Sequence, residues 1–235
     1  MGAQRILLVA LFWLTASING IAAPSDAWQM PPLAWFVKRL PAPPEANSSQ
    51  DLADVSHSIA RQSAAAPNDF KRAERSNDFS IFTFDKSLGR KFEIRNFPLT
   101  AKLSKEAESR VDGVTSQLKR FYRRERLEVV HPGKVKLFVT RAPGYSYPSG
   151  HTARAKVFGL MLAELDPAKR EALLEQARQI GDDRVLSGQH YRSDVEAGRI
   201  VGRLVFQRLM ADSSFRKSLQ LVKQKEWSSP ASSSR

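Results

Sequence analysis

The chain has 235 residues, a formal net charge of +13 and no cysteine. This length suits one domain with a substantial core rather than two, and the lack of cysteine excludes disulfides and a thiol nucleophile. The positive charge favours anionic partners such as phosphate esters, but the basic residues are mixed with Asp and Glu along the chain, so nucleic acid is not expected as the main partner.

Residues 1–22 have the three parts of a secretory signal peptide. A basic residue comes before an apolar run, Ile6 to Leu14, and small residues follow. Cleavage is expected after Ala22, because cleavage one residue later would leave Pro24 beside the bond. Since the rest of the chain has no run of about 20 apolar residues, we expect a periplasmic protein without a transmembrane anchor after processing.

Residues 23–49 are rich in proline and predict an extended arm. From residue 50 the pattern becomes helical, and its apolar positions are Leu52, Val55 and Ile59. Pro67 ends this helix and suits the first turn of the next. Ser80 to Phe84 alternate like a short strand but fit a buried loop or helix end equally well, so no sheet is predicted.

One long helix is predicted between Leu99 and Tyr122. Its apolar face consists of Leu99, Leu103, Ala107, Val111, Val114, Leu118 and Phe121, at steps of four or three. Lys119 and Arg126 lie near its end, seven positions apart, so a helix that persists would put both cations on nearly the same side. Pro132-Gly133 then closes this unit.

The middle of the chain predicts two helices joined by a tight corner. Asp166 is expected to cap the second helix and Pro167 to take its first position, with the helix running to about Arg184. The apolar residues of the pair are Val157, Leu160, Met161, Leu165, Leu173, Leu174, Ala177 and Ile180. Ser193, with Glu196 three residues later, has the form of a capping box that opens the last helix.

These elements predict an all-α fold: a compact, bundle-like single domain of several helices with an extended Pro-rich N-terminal arm. The helical domain is assigned to residues 50–212. Residues 213–235 are assigned to a polar C-terminal tail, whose last residues are small and polar.

Several cations and a glycine turn supply the groups that a bound phosphate monoester needs. The ester is a dianion whose transition state spreads charge over its equatorial oxygens, so cations and N–H donors must surround it. The candidate cations are Lys119, Arg126 and Arg184. In the turn that ends at His151, Ser149 can add a hydroxyl, and Gly150 an unhindered N–H near the positive end of a helix.

Two histidines and one aspartate can supply a nucleophile and proton transfer. Asp194, four residues after His190, can bind one ring nitrogen and hold the tautomer, so that the other nitrogen attacks phosphorus. His151 is expected to protonate the leaving alkoxide, and then to act as base when water cleaves the phosphohistidine. The chain has no His-Glu-x-x-His motif and no nucleophile elbow, and four histidines are too few for a dinuclear site, so no metal or other cofactor is expected.

The same residues carry a family resemblance. The chain resembles the bacterial class A nonspecific acid phosphatases, within the type 2 phosphatidic acid phosphatase and vanadium haloperoxidase superfamily. The signature of that superfamily has three blocks: Lys, six residues, Arg-Pro; then Pro-Ser-Gly-His; then Ser-Arg, five residues, His, three residues, Asp. The matching positions are Lys119 and Arg126; Pro148 to His151; and Arg184, His190 and Asp194.

Two positions depart from this signature. Leu127 replaces the proline of the first block, and Asp183 replaces the serine of the third. Losing the rigid φ of proline is expected to cost little. A carboxylate beside Arg184 matters more, because it could compete with phosphate or raise the pKa of nearby histidines. The other histidines, His57 and His131, match no block and are interpreted as ordinary polar residues.

The resemblance covers roughly Leu40 to Met210. It implies a helical fold, metal-independent hydrolysis of phosphate monoesters at acid pH through a phosphohistidine, and often a periplasmic homodimer. We therefore expect an acid phosphatase for small phosphomonoesters, with a bell-shaped rate profile that peaks on the acid side. The alternatives are a vanadium-dependent haloperoxidase, a peripheral lipid phosphate or pyrophosphate phosphatase, and a non-catalytic phosphate-binding envelope protein.

Overall fold

The computed structural model describes residue 29 and residues 31–228, so the predicted signal peptide and residues 229–235 of the predicted tail lie outside the described residues. Within the described part the regular structure is helical and contains no strand, which confirms the all-α prediction. The α-helices are α1 (Leu33–Val37), α2 (Ser49–Ser63), α3 (Pro67–Arg75), α4 (Asp85–Leu88), α5 (Pro98–Tyr122), α6 (Leu127–Val130), α7 (Gly150–Leu165), α8 (Arg170–Leu186), α9 (Arg192–Ala211) and α10 (Ser213–Val222). None of these described helices combines the length and apolarity needed to cross a bilayer.

Helix α7 lies at the centre of the fold and packs against α5, α8 and α9. It is buried on several faces, which is the pattern of a helix enclosed by others. The neighbouring helices bring their predicted apolar faces to the same core. The buried residues they contribute include Leu103, Val111, Leu118, Leu173, Ala177, Val201 and Val205.

A close approach between α7 and α9 positions the second and third motif blocks. A Cβ added at Gly198 of α9 would lie 2.6 Å from the carbonyl oxygen of Ser149, so only glycine allows this contact without a shift. The backbone N–H of Ser149 donates to the carbonyl oxygen of Asp194 at 2.9 Å. The start of α7 therefore lies directly beside the first turn of α9.

Helix α2 differs from its predicted amphipathic pattern. Of the predicted stripe only Val55 is buried, whereas Leu52 and Ile59 are 48% and 38% exposed. The buried face carries the carboxylates of Asp51 and Asp54 instead. Both can lie in the interior because a buried guanidinium pairs with them.

Both ends of the described chain contain more helix than predicted. In the predicted arm, α1 forms one short helix that buries Phe36, while residues 41–45 have no regular structure. In the predicted polar tail, α10 and a π-helical turn at Lys223–Trp227 continue the domain. The tail assignment is wrong there because three residues at helical spacing enter the core, namely Phe215, Leu219 and Val222.

Two predicted helix caps are also corrected. Asp166 makes no side-chain cap bond, because the 3₁₀ turn Pro167–Lys169 separates it from α8. Ser193 lies inside the first turn of α9, where its hydroxyl donates to Asp54. Asp194 is the residue that caps α9, since its carboxylate accepts the backbone N–H of Tyr191 at 3.1 Å. The segment of uncertain class, at Ile81–Phe84, is a 3₁₀ helix.

Candidate active site

The first motif block lies at the C-terminal end of α5. This helix ends at Tyr122, as predicted, because Arg123 adopts a left-handed conformation with φ of 49°, so it does not persist to Arg126. Lys119 lies in the last turn. Its Nζ donates to the carbonyl oxygens of Tyr145 and the following residue at 2.6 and 2.9 Å.

The chain reversal after α5 still brings Arg126 to the same loop as Lys119. Its Nε donates to the carbonyl oxygen of Gly144 at 2.8 Å, and Nη1 donates to that of Gln189 at 2.8 Å. The side chain is buried, and burial lowers its pKa. Arg126 thus joins the loop before the glycine turn to the segment that follows α8.

The Pro148-Ser149-Gly150-His151 turn opens α7. Ser149 is the buried N-cap, and its Oγ accepts from the hydroxyl of Thr152 at 2.9 Å. The helix begins at Gly150. Nε2 of His151 donates to the backbone carbonyl of Asn77 at 2.8 Å. Nδ1 is therefore the nitrogen of His151 that can gain and lose a proton.

Arg184 ends in the same place from the last turn of α8. Its side chain is fully buried, and Nη1 donates to the side-chain oxygen of Asn77 at 3.1 Å. Nε of Arg184 has no hydrogen-bond partner among the described residues. A buried guanidinium with a spare donor is the arrangement expected of an oxyanion ligand.

His190 lies between α8 and α9, after a tight turn at Gly188. Gly188 has φ of 77°, and a Cβ there would lie 2.4 Å from the carbonyl oxygen of Lys136. Nδ1 of His190 donates to Oδ2 of Asp194 at 3.1 Å. With the ring proton held on Nδ1, the lone pair of a neutral imidazole lies on Nε2. This Nδ1–H tautomer is the one in which Nε2 can act as a nucleophile.

The charges of all three blocks meet at His190. Burial first, and then the charges of Lys119, Arg126, Arg184 and His151, hold the pKa of His190 well below its usual range. The imidazole is therefore neutral across the physiological range. Lys119, Arg126, Arg184 and His151 thus lie close enough to His190 for their charges to act on it. The roles of the residues selected from the sequence stay predictions.

Burial, and then the neighbouring charges, also lower the pKa values of Lys119, His151 and Arg184. Burial, followed by the charge of Arg126, lowers the pKa of Lys119 to about 7. Burial, followed by the charge of Arg184, lowers the pKa of His151 to about 3. Burial lowers the pKa of Arg184 to about 10. A bound dianion would offset this repulsion and raise all three values.

We predict that sulfate binding weakens as the pH rises through about 7, the pKa of Lys119 in the unliganded protein. Sulfate keeps its double charge over this range, so the pH dependence comes from the protein. Because the anion favours protonated Lys119, binding takes up a proton above that pKa, and affinity falls by up to about tenfold per pH unit. Isothermal titration calorimetry from pH 6 to 9 measures this slope.

The Lys119→Met variant is the control for this measurement. It should bind sulfate more weakly at pH 6 and show little further loss up to pH 9. A wild-type affinity that stays constant over the same range would contradict the assignment of Lys119 as a titrating anion ligand.

The two departures from the motif have separate structural explanations. Leu127 is the first residue of α6, a position that suits proline, and its side chain is buried beside Val55 and Tyr191. Asp183 is buried and accepts three hydrogen bonds from the guanidinium of Arg72, at 3.1, 3.3 and 3.0 Å. Its carboxylate is thus hydrogen-bonded to Arg72 of α3 rather than to the candidate phosphate-binding cations.

We predict that Asp183→Ser changes kcat/KM by less than about threefold and the free energy of unfolding by less than about 1 kcal/mol. Burial raises the pKa of Asp183, so keeping its charge buried is costly, while Arg72 is 34% exposed and can be hydrated alone. Arg72→Ala should destabilise more, because it leaves a buried carboxylate without its cation. Denaturant unfolding and an ester assay check both variants. A loss of more than tenfold in kcat/KM for Asp183→Ser would show that the carboxylate takes part in the reaction.

Three important residues were missed by the sequence analysis. Asn77 contacts both His151 and Arg184, Arg72 neutralises Asp183, and Arg124 binds Asp194 at 2.8 Å. No spacing pattern marks them, since Asn77 and Arg72 lie far from the motifs and Arg124 is one of several arginines in a basic run.

The remaining histidines lie elsewhere. Nε2 of His131 donates to Asp51 at 2.9 Å in a buried position. His57 is half-buried, and its pKa is lowered by burial and then by Arg192 and Arg61. No group of three or more metal-ligating side chains occurs among the residues that the structure describes.

Comparison with known proteins gives one family and several relatives. The family model described as PAP2 superfamily matches residues 104–217. The non-specific acid phosphatase of Salmonella typhimurium is 43% identical over 79 residues, 34% of this chain and 32% of the relative. That of Providencia stuartii is 40% identical over 78 residues, 33% of this chain and 32% of the relative. The matched region thus spans about a third of these curated relatives.

A solved structure supports the fold over a longer range. The transmembrane PAP2 type phosphatidylglycerolphosphate phosphatase from Bacillus subtilis superposes with a TM-score of 0.53 and 18% identity. The superposition covers 79% of this chain and 92% of that one. At this identity the likeness concerns the fold alone.

Proposed function

We propose that the protein, whose residues 104–217 match the PAP2 superfamily model, is an acid phosphatase that hydrolyses phosphate monoesters through a phosphohistidine at His190. The observation that carries the proposal is the geometry of the His190–Asp194 pair. Asp194 holds the proton on Nδ1, and the cations of the first and third blocks, Lys119, Arg126 and Arg184, act on the imidazole whose Nε2 carries the lone pair. The names of the similar acid phosphatases agree with this activity.

The first half-reaction forms a bond from Nε2 of His190 to phosphorus and breaks the bond from phosphorus to the ester oxygen. Lys119, Arg126 and Arg184 bind the equatorial oxygens, with the N–H of Gly150 at the start of α7. The departing alkoxide takes a proton from Nδ1 of His151, whose Nε2 is held by a carbonyl oxygen.

The second half-reaction returns the enzyme to its starting state. Neutral His151 takes a proton from water as the water oxygen attacks phosphorus, and the bond from phosphorus to Nε2 breaks. Inorganic phosphate leaves, and the electron pair returns to His190. Neither half-reaction requires a metal ion.

The low pKa of His151, about 3 in the unliganded protein, must rise for the first step. The substrate supplies the cause, because a bound phosphate dianion offsets the charges of Arg184 and Lys119. The acid form of His151 is then populated mainly at acid pH, which supports the expected rate maximum on the acid side.

Assay of the purified protein against a panel of phosphates tests the proposal. The panel contains p-nitrophenyl phosphate, nucleotides, sugar phosphates, pyrophosphate and a lipid phosphate, at several pH values with and without EDTA. We expect monoester hydrolysis on the acid side that resists EDTA and is inhibited by vanadate. Hydrolysis that appears only with added divalent metal, halide oxidation with vanadate and peroxide instead of ester hydrolysis, or phosphate binding without turnover would each contradict it.

We also propose export to the periplasm, which the three-part pattern of residues 1–22 supports. Expression of the full chain in a Gram-negative host, followed by N-terminal sequencing of the periplasmic fraction, tests this. Mature protein that begins at Ala23 is expected. Uncleaved protein in the cytoplasmic fraction would contradict it.

A further inference from the structure

A buried ionic cluster lies behind the His190–Asp194 pair. This Arg124 cluster consists of Arg124, Asp51, Asp54, Ser193 and Asp194. Nη1 of Arg124 donates to Oδ1 of Asp194 at 2.8 Å and to the hydroxyl of Ser193 at 2.6 Å. Nη2 donates to Asp51 at 2.9 Å and to Asp54 at 3.4 Å. The charged members are each at most 8% exposed.

The Asp194 carboxylate is held at both oxygens. Oδ1 accepts from Arg124, while Oδ2 accepts from Nδ1 of His190 and from the backbone N–H of Tyr191, each at 3.1 Å. The guanidinium of Arg124 also stacks over the Tyr191 ring, 3.7 Å from its centroid. These contacts fix the plane of the carboxylate, and with it the direction of the His190 ring.

Helix α2 holds the other side of Arg124. Asp51 is itself fixed by the backbone N–H of Asn47 at 3.0 Å and by Nε2 of His131 at 2.9 Å. Asp54 accepts the hydroxyl proton of Ser193. The apolar pattern did not predict the inward carboxylates of α2. Their partner is Arg124, which binds Asp194, and Asp194 in turn binds His190. This helix lies outside the region matched by the family model.

We propose that Arg124, held from behind by Asp51 and Asp54, is a positioning residue that keeps the Asp194 carboxylate ionised and bound to Nδ1 of His190. Its kinetic consequence rests on the proposed phosphatase function, whereas its effect on the His190 tautomer does not. Arg124 touches no reacting atom in this scheme and acts through Asp194.

The charge balance around Asp194 explains why the guanidinium is needed. Burial raises the pKa of Asp194, and the charges of Arg124 and Lys119 oppose this rise. The other groups that act on Asp194 or on Arg124 are Arg126, Tyr147, His190, Tyr191, Asp51 and Asp54. If Asp194 takes up a proton, its O–H donates to Nδ1 of His190 and the ring proton moves to Nε2. Nε2 then has no lone pair for phosphorus.

The Arg124→Met variant should therefore move the acid side of the rate profile. The pH at which kcat/KM falls to half on that side should rise by about 1 to 3 units, the range by which an adjacent arginine lowers the pKa of an aspartate. Arg124→Lys should restore part of the shift. Arg123→Met is the matched control, because the same substitution one residue earlier removes an exposed side chain, and its profile should equal that of the wild type.

The Asp54→Asn variant gives the opposite sign and retains the shape of the side chain. Asp54→Asn removes one negative charge near Asp194, while the positive charge of Arg124 remains. The pKa of Asp194 should therefore fall, and the same half-point should move to lower pH. This variant carries the test if Arg124→Met does not fold. A half-point that stays in place in Asp54→Asn, with kcat lowered uniformly, would overturn the proposal.

A measurement without turnover separates this proposal from the proposed function. With ¹⁵N-labelled histidine, NMR reports which ring nitrogen of His190 carries the proton, and His190→Asn identifies the signal. We expect the Nδ1–H form in the wild type at neutral pH. As the pH is lowered, the Nε2–H form should appear at a higher pH in Arg124→Met than in the wild type. If the wild type fails to hydrolyse esters but the tautomer shifts as stated, only the proposed function is wrong. An unchanged tautomer in an active enzyme would refute the role of Arg124 alone.

Discussion

Alanine at position 190 should lower kcat/KM for phosphate monoesters by about four orders of magnitude or more, since the covalent route is lost with the nucleophile. Lys119, Arg126 and Arg184 remain in His190→Ala, so the variant should still bind sulfate. Stopped assays with p-nitrophenyl phosphate, with calorimetry for sulfate, separate lost chemistry from lost binding. Circular dichroism and thermal unfolding confirm that the variant is folded.

His57→Ala is the matched control for this experiment. His57 is half-buried at the surface between α2 and α9, and its removal should leave turnover within about twofold, as for most surface substitutions. Activity in His190→Ala within tenfold of the wild type would rule out His190 as the nucleophile.

His151→Ala should impair turnover in proportion to how much the leaving group needs a proton. For alkyl phosphates we expect a loss of about 10²–10⁴-fold, the usual contribution of general acid catalysis. For p-nitrophenyl phosphate the loss in the first step should be much smaller, because nitrophenolate leaves without protonation. Single-turnover measurement of the first step with both esters gives the ratio of the loss for the alkyl phosphate to the loss for p-nitrophenyl phosphate. It also excludes the effect of His151 as base in the second step.

Asn77→Ala is the control for the leaving-group test. The backbone carbonyl that accepts from Nε2 of His151 remains in this variant, while the side-chain contact to Arg184 is lost. Its turnover should fall for both esters by a similar factor, so their ratio stays near the wild-type value. An equal loss for both esters in His151→Ala would contradict the general-acid role.

Helix positions in the core were predictable because apolar periodicity reports burial directly. The interior of α5 follows this rule, and Val111 and Leu118 are fully buried. Helix α2 breaks it, because Asp51 and Asp54 gain enough from Arg124 to lie inside while Leu52 faces solvent. Pairing between residues 73 positions apart leaves no local signal, so the sequence pattern could not predict the inward face of this helix.

The candidate site was predictable for a different reason. The chemistry of phosphoryl transfer demands particular side chains, and their spacing within each block limits where they can lie. The three blocks therefore identify Lys119, His151 and His190 without knowledge of the fold. Asn77 contacts His151 and Arg124 contacts Asp194 across many residues of the chain, so only the folded structure reveals these contacts.

Brief incubation with ³²P-labelled substrate, followed by denaturation and mass spectrometry, shows whether His190 is phosphorylated during turnover. The hydrogen bond from Nδ1 of His190 to Asp194 leaves Nε2 to attack, so we expect an acid-labile, alkali-stable phosphoryl group on Nε2 of His190. This label should be absent in His190→Ala and present in His57→Ala. Label on Nδ1, label on another residue, or turnover in the wild type without any phosphoenzyme would rule out attack by Nε2 of His190.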